Sequence, residues 1–319
     1  MKDPSSPIGS PGFATVEDAF KQASDHLMDV NIPWGSSILN LLTRGSHPGD
    51  LAVAAGFPHM GKTAFCVDTA LQAARAGKTV AYLSFDSALS YIGLRLFCAL
   101  TGWDLHRLEG GWLDRRQSDY VRKEMLIETG LPIYLDDRTL TDLRAIRETT
   151  EALKGDKGLD LLILDSLRPL FPRLGSAGLT TEDLKEQVIL PLKELAMDRQ
   201  CQVLATLPLG WERGAKMGPG LLATVDAIHE MNLPELHLDL LIALHLNREH
   251  EYSSKRSEVE VAVLKNRHGR TYWYTIGFDR DSLSLNGFEE SWEADESREP
   301  AKIRRPFPER NMEPDDETE

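Results

Sequence analysis

The chain has 319 residues, of which 41% are hydrophobic and 27% charged, and its net charge at pH 7 is −14. No apolar run reaches the roughly 20 residues that a membrane-spanning helix needs, so we expect no membrane partner. The three cysteines, Cys66, Cys98 and Cys201, are far apart and have no CxxC spacing. This pattern argues against a disulfide framework or a zinc site and favours a reducing, cytoplasmic location.

The two ends of the chain differ in composition from its middle. The first residues, MKDPSSPIGSPG, are polar and rich in proline, serine and glycine, and they lack the apolar stretch of a secretion signal. Residues 289–319 contain 12 acidic and 5 basic residues, a net charge of −7 and half of the total. Few apolar residues interrupt this acidic tail, so we expect it to be disordered. The remaining body is only mildly acidic, and bulk charge does not exclude a nucleic acid bound in a local channel.

An amphipathic helix is predicted over residues 15–30. Its apolar positions recur at helical spacing, and Thr15 stands where a helix N-cap is expected, three residues before Asp18. The apolar stripe can pack on its own domain or dock on a neighbouring subunit, and the spacing favours neither. With the polar start it forms the first predicted segment, residues 1–35.

From residue 50 onwards, short apolar runs alternate with helical segments. Most of these runs are continuously apolar, as in parallel strands that are buried on both faces. The strand candidates are 50–55, 79–85, 131–137, 159–165, 202–207 and 238–246. A helix is predicted over 181–199, bent near Pro191, and the end of the body is predicted to be a hairpin that turns at His268–Gly269. We therefore predict one α/β domain over residues 36–288, with a mainly parallel sheet flanked by helices and antiparallel strands added late.

The run GFPHMGKT has the spacing of a phosphate-binding loop, and it lies between a predicted strand and a predicted helix. Glycines allow turns that point backbone N–H groups at phosphates, the lysine neutralises β- and γ-phosphate charge, and the threonine hydroxyl binds Mg²⁺. The predicted ATP-binding residues are Gly56, Phe57, Pro58, His59, Met60, Gly61, Lys62, Thr63 and Ala64.

Two aspartates follow predicted strands. Asp165 ends LDLLILD, about 100 residues after the loop, where a carboxylate can hold Mg²⁺ through its water shell or cap the following turn; we favour the metal role. Asp86 ends TVAYLSFD, where it can orient or deprotonate the attacking water or serve as the N-cap of the next helix.

Two cations lie far along the chain, in VLKNRHGR. Lys265 and Arg267 can stabilise γ-phosphate charge on their own subunit or on a neighbour, or they can form an ordinary exposed basic turn. Charge alone does not choose between these interpretations.

Together, these residues and their order resemble the C-terminal ATPase domain of replicative helicases of the DnaB family, over residues 13–288. The entry segment NIPWGSSILNLLTRGSHPGDLAVAAGFPHMGKTAF, the stretch YLSFDSALSYIGLRLF and the run LKNRHGR are each similar to family segments. The resemblance implies a RecA-like P-loop NTPase core with ATP and Mg²⁺ as cofactors.

Roles and partners also follow from the resemblance. It makes Asp86 the catalytic acid with Arg95 nearby, and it makes Lys265 and Arg267 a basic pair that acts in trans on ATP bound next door. It also implies that the 15–30 helix packs on the adjacent protomer of a homo-oligomeric, hexameric ring that binds single-stranded DNA. We expect no counterpart of the family's separate N-terminal domain.

The sequence departs from the family pattern at several positions. Asp86 stands where the family usually has glutamate, Ser166 and Arg168 replace an aromatic residue and a glutamine, and Leu207 and Pro208 replace two polar residues. Residues 207–236, where the family builds its DNA-facing loop, contain two basic and four acidic residues. Such a loop is a poor match to a phosphate backbone.

The sequence is therefore compatible with three functions. The first is an ATP-hydrolysing DnaB-like motor that moves on single-stranded DNA. The alternative is a RecA-fold module that uses ATP to control assembly or a partner, with little or no hydrolysis. A recombinase-like or circadian-type RecA ATPase shares the fold, but the entry segment and the Lys-Asn-Arg run fit helicases better. The sequence favours the first.

Overall fold

The computed structural model describes residues 16–17, 20–21, 31–127, 130–138, 142–170, 185–210, 220–230, 235–247 and 256–285. By internal contacts the chain divides into residues 1–31 and 32–319. Within the first unit, Val16, Glu17, Phe20 and Lys21 are helical, and the rest of the helix predicted over 15–30 lies outside the described residues. The predicted acidic tail, 289–319, lies outside them entirely.

The described part of the second unit is an α/β fold around one mixed sheet. Its eight strands are β1 (Leu51–Gly56), β2 (Val80–Ser84), β3 (Ile133–Asp136), β4 (Leu161–Asp165), β5 (Gln202–Pro208), β6 (Leu240–Asn247), β7 (Arg256–Asn266) and β8 (Tyr272–Asp279). Their order is β3-β2-β4-β5-β1-β6-β7-β8. The first six strands in this order are parallel, and β7 and β8 are added antiparallel. This arrangement confirms the predicted fold class.

Helices cover both faces of the sheet. They are α1 (Ser37–Thr43), α2 (Lys62–Arg75), α3 (Leu89–Thr101), α4 (Leu105–Glu109), α5 (Arg115–Ile127), α6 (Leu143–Lys157), α7 (Leu190–Arg199) and α8 (Gly220–Glu230). The crossover through α2 leads from β1 toward β2, and the crossover through α7 leads the opposite way, from β4 to β5. Because such crossovers are right-handed, α2 and α7 lie on opposite faces.

The core lies between these layers. Every residue of β1, β2 and β4 is buried, which explains why their sequences are continuously apolar apart from the last positions. Ile32 and Trp34 also belong to this core, at 3% and 2% exposure. The predicted domain limits, 1–35, 36–288 and 289–319, stay a prediction. None of the described helices is long and apolar enough to cross a membrane.

Of the helix predicted over 181–199, with a bend near Pro191, the structure describes residues 185–199, and all of them are helical. A π-helical turn covers Lys185–Ile189, and α7 begins at Leu190, with Pro191 in its first turn. Ile189 at the junction has helical dihedral angles, φ −69° and ψ −49°, so the helical segment is continuous over residues 185–199 and changes type just before Pro191. Proline lacks the N–H group that a continuing α-helix uses, and a π turn is a common irregularity at such a position.

Candidate nucleotide-binding site

The predicted phosphate loop connects β1 to α2. Gly56 ends β1, and a Cβ atom at this position would lie 2.8 Å from the Leu244 carbonyl oxygen, so the close approach of β6 requires glycine here. Gly61 has a left-handed backbone, with φ of 88°, and precedes α2 without providing a side-chain cap. The N–H groups of the first turn of α2 therefore face the loop uncapped, as anion binding at a helix N-terminus requires.

Lys62 lies at the centre of this loop. Its Nζ donates hydrogen bonds to the carbonyl oxygens of Gly56, at 2.9 Å, and Phe57, at 2.7 Å. Burial lowers the pKa of Lys62 from 10.5 to about 8, although the negative charges of Asp165 and Asp86 act in the opposite direction. A polyphosphate bound in the loop would place negative charge directly beside this half-buried ammonium group and would favour its charged form.

Asp165 ends β4 and is buried beside β2 and β5. Its Oδ2 accepts a hydrogen bond from the Tyr82 hydroxyl at 2.9 Å, and its Oδ1 accepts one from Thr206 Oγ1 at 2.7 Å. Burial, together with the charge of Asp165, raises the pKa of Tyr82 well above its usual value, so Tyr82 keeps its proton for this bond. The two hydroxyls fix the carboxylate at the strand end, where with Thr63 it could hold Mg²⁺ through water.

Asp86 follows β2 and is exposed. Its Oδ2 accepts a 2.7 Å hydrogen bond from Ser166 Oγ. It is not the N-cap of the next helix, because α3 begins at Leu89 after Ala88, and the Leu89 N–H donates to Asp137 at 2.8 Å. The capping alternative is therefore wrong, and the carboxylate is open to water next to the phosphate loop.

The end of β5 contacts the phosphate loop through backbone rather than side chains. The Leu209 N–H donates to the Gly56 carbonyl oxygen at 2.9 Å, and Gly210 packs closely against Phe57. Leu207 is buried and Pro208 pairs with Gly56, so the positions where the family pattern has polar groups have a packing role here. Residues 211–219, which include Arg213 and Lys216, lie outside the described part.

Arg95 lies on α3. Its Nη2 donates to the Leu283 carbonyl oxygen at 3.5 Å, and its guanidinium carbon lies 5.9 Å from the centre of the Tyr91 ring. Its charge acts to lower the pKa values of the buried Cys66 and Tyr82, although burial dominates in both. Arg95 thus lies behind the site rather than in the loop itself.

Lys265 and Arg267 lie at the opposite edge of the sheet. Lys265, on β7, pairs with Leu241 near the start of β6, and Arg267 Nη1 donates to Asp239 Oδ1 at 2.9 Å. Asp239 Oδ2 accepts a 2.8 Å hydrogen bond from the N–H of Leu51, which begins β1.

The length of β1 separates these cations from the loop. Leu51 begins the strand and Gly56 ends it, five residue steps or about 17 Å away. The structure brings Lys62, Asp86 and Asp165 together but not Lys265 and Arg267. This placement argues against action on the ATP of the same subunit, and it leaves action on a neighbouring subunit and an ordinary basic turn as the two remaining interpretations.

Several residues that support these groups were missed in the sequence. They are Tyr82, Thr206, Ser166, Asp239 and Lys193, whose Nζ lies 2.6 Å from Asp239 Oδ2. For all of them except Lys193, which lies on α7, the available signal was a polar residue within or next to an otherwise apolar strand. Their partners depend on strand order, which hydrophobic periodicity does not give.

Comparisons with known proteins agree with this geometry. The family model described as the DnaB-like helicase C terminal domain matches residues 31–286. The chain is 28% identical over 254 residues to the replicative DNA helicase DnaB of Leifsonia xyli, covering 78% of this chain and 54% of that protein. It is 24% identical over 282 residues to the replicative DNA helicase DnaC of Bacillus subtilis, covering 84% and 61%. The chain therefore spans little more than half the length of these curated relatives.

Solved structures share the fold. One of them, the isolated ATPase domain of another protein, superposes with a TM-score of 0.71 at 19% identity, covering 86% of this chain and 98% of that one. A DnaB-like replicative helicase, in a structure that describes its interactions with primase, superposes with a TM-score of 0.70 at 18% identity, covering 85% and 67%. The RecA-like arrangement of strands and helices is thus common to all three.

Proposed function

Because this chain belongs to the DnaB-like helicase C-terminal domain family, we propose that it binds and hydrolyses ATP as the motor domain of a helicase on single-stranded DNA. The observation that carries the proposal is the position of Lys62, half-buried at the uncapped start of α2 among backbone carbonyls and near two carboxylates. This is the arrangement that phosphoryl transfer requires, since its catalysis depends mainly on positioning and charge stabilisation.

In the proposed reaction, the loop residues hold the triphosphate. The N–H groups at the start of α2 would donate to phosphate oxygens, and Lys62 would exchange its two carbonyl partners for the β- and γ-phosphates. Thr63 and Asp165 are the residues that would hold Mg²⁺, which when bound neutralises charge on the β- and γ-oxygens.

Asp86 would orient the attacking water and accept its proton. Its carboxylate is exposed to solvent, and the bond from Ser166 fixes one of its oxygens. A fixed carboxylate beside the γ-phosphate position suits a general base. Ser166 is a positioning residue in this scheme, because it acts through Asp86.

The remaining charges would come from a second copy of the chain. Arg267 has an exposed side chain and lies about one strand length from its own loop, so we propose that Lys265 and Arg267 act on ATP bound to the neighbouring subunit. A homo-oligomeric ring, hexameric as the resemblance implies, would supply these groups to every site. The 15–30 helix is the proposed contact to the adjacent protomer, and the cytoplasm is the proposed compartment, in keeping with three free cysteines.

The proposed action on DNA rests on family membership and not on a feature of the described site. The relatives are named as replicative DNA helicases. Asp226 and Glu230 on α8 add negative charge to the segment that would face the DNA. Any grip on DNA would therefore depend on backbone N–H groups and on the few cations in and around 211–219.

The test is ATP turnover with and without single-stranded DNA at low salt. Wild type should hydrolyse ATP and be stimulated by DNA, and Lys62→Ala should lose more than about 100-fold of its turnover. Lys157→Ala, which removes an exposed lysine at the end of α6, is the matched control and should behave like wild type.

Three outcomes would contradict the proposal in different ways. Equal turnover in wild type and Lys62→Ala would remove the ATPase function altogether. Turnover that DNA does not change would remove the DNA motor, and ATP-dependent oligomer size without turnover would instead establish an assembly module.

A further inference from the structure

Two histidines and an aspartate meet at the edge of the sheet where the parallel strands begin, outside the nucleotide site. His47 and Asp50 lie in the turn before β1, and His268 lies in the turn between β7 and β8, 218 residues further along the chain. One ligand atom from each residue lies within 4.8 Å of the other two. Three metal-binding side chains therefore converge from two distant segments.

The distances suit a small tetrahedral ion. His268 Nε2 lies 2.9 and 3.1 Å from the two carboxylate oxygens of Asp50, and His47 Nδ1 lies 3.4 Å from Asp50 Oδ2. Ligands about 2.0–2.1 Å from a zinc ion at tetrahedral angles are about 3.3 Å apart. The two histidines would need only a small movement toward each other.

Direct bonding among these three residues leaves polar atoms unsatisfied. Among the described residues, His47 Nδ1 and Ser46 Oγ are buried and have no hydrogen-bond partner. The two imidazole rings lie 4.2 Å apart, so protonating both would bring two positive charges together. A cation shared by both rings and the carboxylate would satisfy His47 Nδ1 without that repulsion.

A small cavity adjoins two of the three residues. Its volume is about 10 Å³, at the lower limit for one water molecule, and its lining includes Ser46, Asp50 and His268 but not His47. A water bound to the ion there could accept or donate a hydrogen bond at the unpaired Ser46 hydroxyl. Three protein ligands and one water is a coordination that zinc commonly adopts.

We propose that His47, Asp50 and His268 form a binding site for a first-row transition-metal ion of the Zn²⁺ type. Imidazole nitrogens select such ions over Mg²⁺ and Ca²⁺, which prefer oxygen ligands. The cysteine spacing that argued against a zinc site does not bear on this one, because no cysteine takes part. Bound metal would fasten the β7–β8 turn to the loop before β1.

The position of the site gives the metal a structural consequence. Arg267 immediately precedes His268, so the ion would restrict the turn that carries this arginine. Any effect on catalysis in trans rests on the proposed function, whereas metal binding itself does not. The test is therefore a binding measurement that requires no ATP turnover.

The experiment uses the full chain, stripped with a chelator and titrated with Co²⁺ and then Zn²⁺. We expect one Co²⁺ per chain, visible-range absorption typical of tetrahedral cobalt, and displacement by Zn²⁺ but not by Mg²⁺. His268→Asn and His47→Asn should each weaken binding by about 100-fold or more. His229→Asn, which changes an exposed histidine at the end of α8, should bind like wild type.

Folding is checked in parallel. Each stripped variant should melt close to the stripped wild type, and added metal should raise the melting temperature of wild type and His229→Asn only. Hydrogen exchange at 46–50 and 266–270 should slow on metal addition in these two proteins alone. Unchanged binding in both histidine variants, or no saturable Co²⁺ binding by wild type, would overturn the proposal; loss in only one of them would reduce it to a single surface histidine and overturn it too.

Discussion

Arg267 donates a 2.9 Å hydrogen bond from Nη1 to Oδ1 of Asp239, at the edge of the sheet opposite the phosphate loop. The guanidinium is mostly exposed while the carboxylate is buried, with side-chain exposures of 63% and 2%. The bond therefore fixes one nitrogen of the guanidinium to its own subunit. The rest of the exposed group stays accessible to a neighbouring subunit.

This relationship predicts that two inactive variants can restore each other. Lys62→Ala has an intact arginine but no working loop, and Arg267→Ala has the reverse. If each site takes its arginine from a neighbour, oligomers assembled from an equal mixture should recover roughly a quarter of wild-type turnover, because a quarter of random head-to-tail contacts combine the intact halves. The measurement is steady-state ATP hydrolysis after co-expression or co-refolding.

The two single variants, each assembled alone, are the controls. A mixture no more active than their average would show that both groups act within one subunit or that Arg267 takes no part. Mixing Lys62→Ala with wild type gives the baseline for subunit exchange.

Asp239 is expected to stabilise the fold through its buried charge pairs. Burial opposes its ionisation, but hydrogen bonds from Lys193, the Leu51 N–H and Arg267 prevail and lower the pKa of Asp239 below its usual 3.8. Asp239→Asn leaves the largely buried Lys193 ammonium unpaired, so it should reduce the free energy of unfolding by about 3 kcal/mol at pH 7. Urea denaturation measures this change.

The pH dependence of that difference has a defined sign. A carboxylate with a lowered pKa contributes stability above its unfolded-state pKa and loses it as pH falls through the folded-state value. The difference in the free energy of unfolding between wild type and Asp239→Asn should thus stay constant from pH 7 to 4 and become smaller below pH 3.8. Asp198→Asn removes an exposed carboxylate paired with Arg147 and should show little difference at either pH.

Ser166 is expected to affect turnover but not nucleotide binding. Its hydroxyl fixes Asp86 at 2.7 Å, so Ser166→Ala should lower kcat by about tenfold through loss of orientation and leave ATP affinity unchanged. Ser166→Thr keeps the hydroxyl and should retain most activity, whereas Asp86→Asn should lose more than about 100-fold. Equal kcat for Ser166→Ala and wild type would show that Asp86 needs no such support.

ATP binding is predicted to take up a proton at alkaline pH. Because burial lowers the pKa of Lys62 to about 8, the free protein has a largely neutral amine at pH 9. Phosphate charge next to it should raise the pKa again, so binding should draw close to one proton from solution at pH 9 and almost none at pH 7. Calorimetry in two buffers of different ionisation enthalpy measures this uptake.

The matched variant here is Lys62→Arg, which keeps a positive charge that does not titrate in this range. It should bind with no proton uptake at either pH. Equal uptake by wild type and this variant would place the titrating group elsewhere.

The fold could be predicted because its signals are local. The run LLIL, residues 161–164 of β4, is continuously apolar because both faces of this strand are buried, and the loop at 56–63 stands between a strand and a helix. The change at Leu190 from a π turn to α7 was not predicted. Periodicity alone does not show where a continuous helix changes type next to a proline.

The site was predictable only in part, because some of its contacts depend on strand order and not on local sequence. Lys62, Asp86 and Asp165 each follow a strand and could be assigned from position. The bonds from Tyr82, Thr206 and Ser166 depend on β4 lying between β2 and β5, and the separation of Arg267 from Lys62 depends on β7 running antiparallel to β6. Strand order is a long-range property that a single sequence does not display.

The two hydroxyl bonds to Asp165 bear on which metal could serve the proposed ATPase. Each carboxylate oxygen already accepts one hydrogen bond and keeps one lone-pair site, and in the proposed ATPase the group contacts the cation through an intervening water. A water-mediated contact imposes no fixed metal–oxygen distance on the protein. Mn²⁺ should therefore replace Mg²⁺ with little loss of nucleotide affinity, and tolerance of ion size would distinguish this site from a rigid cage of protein ligands.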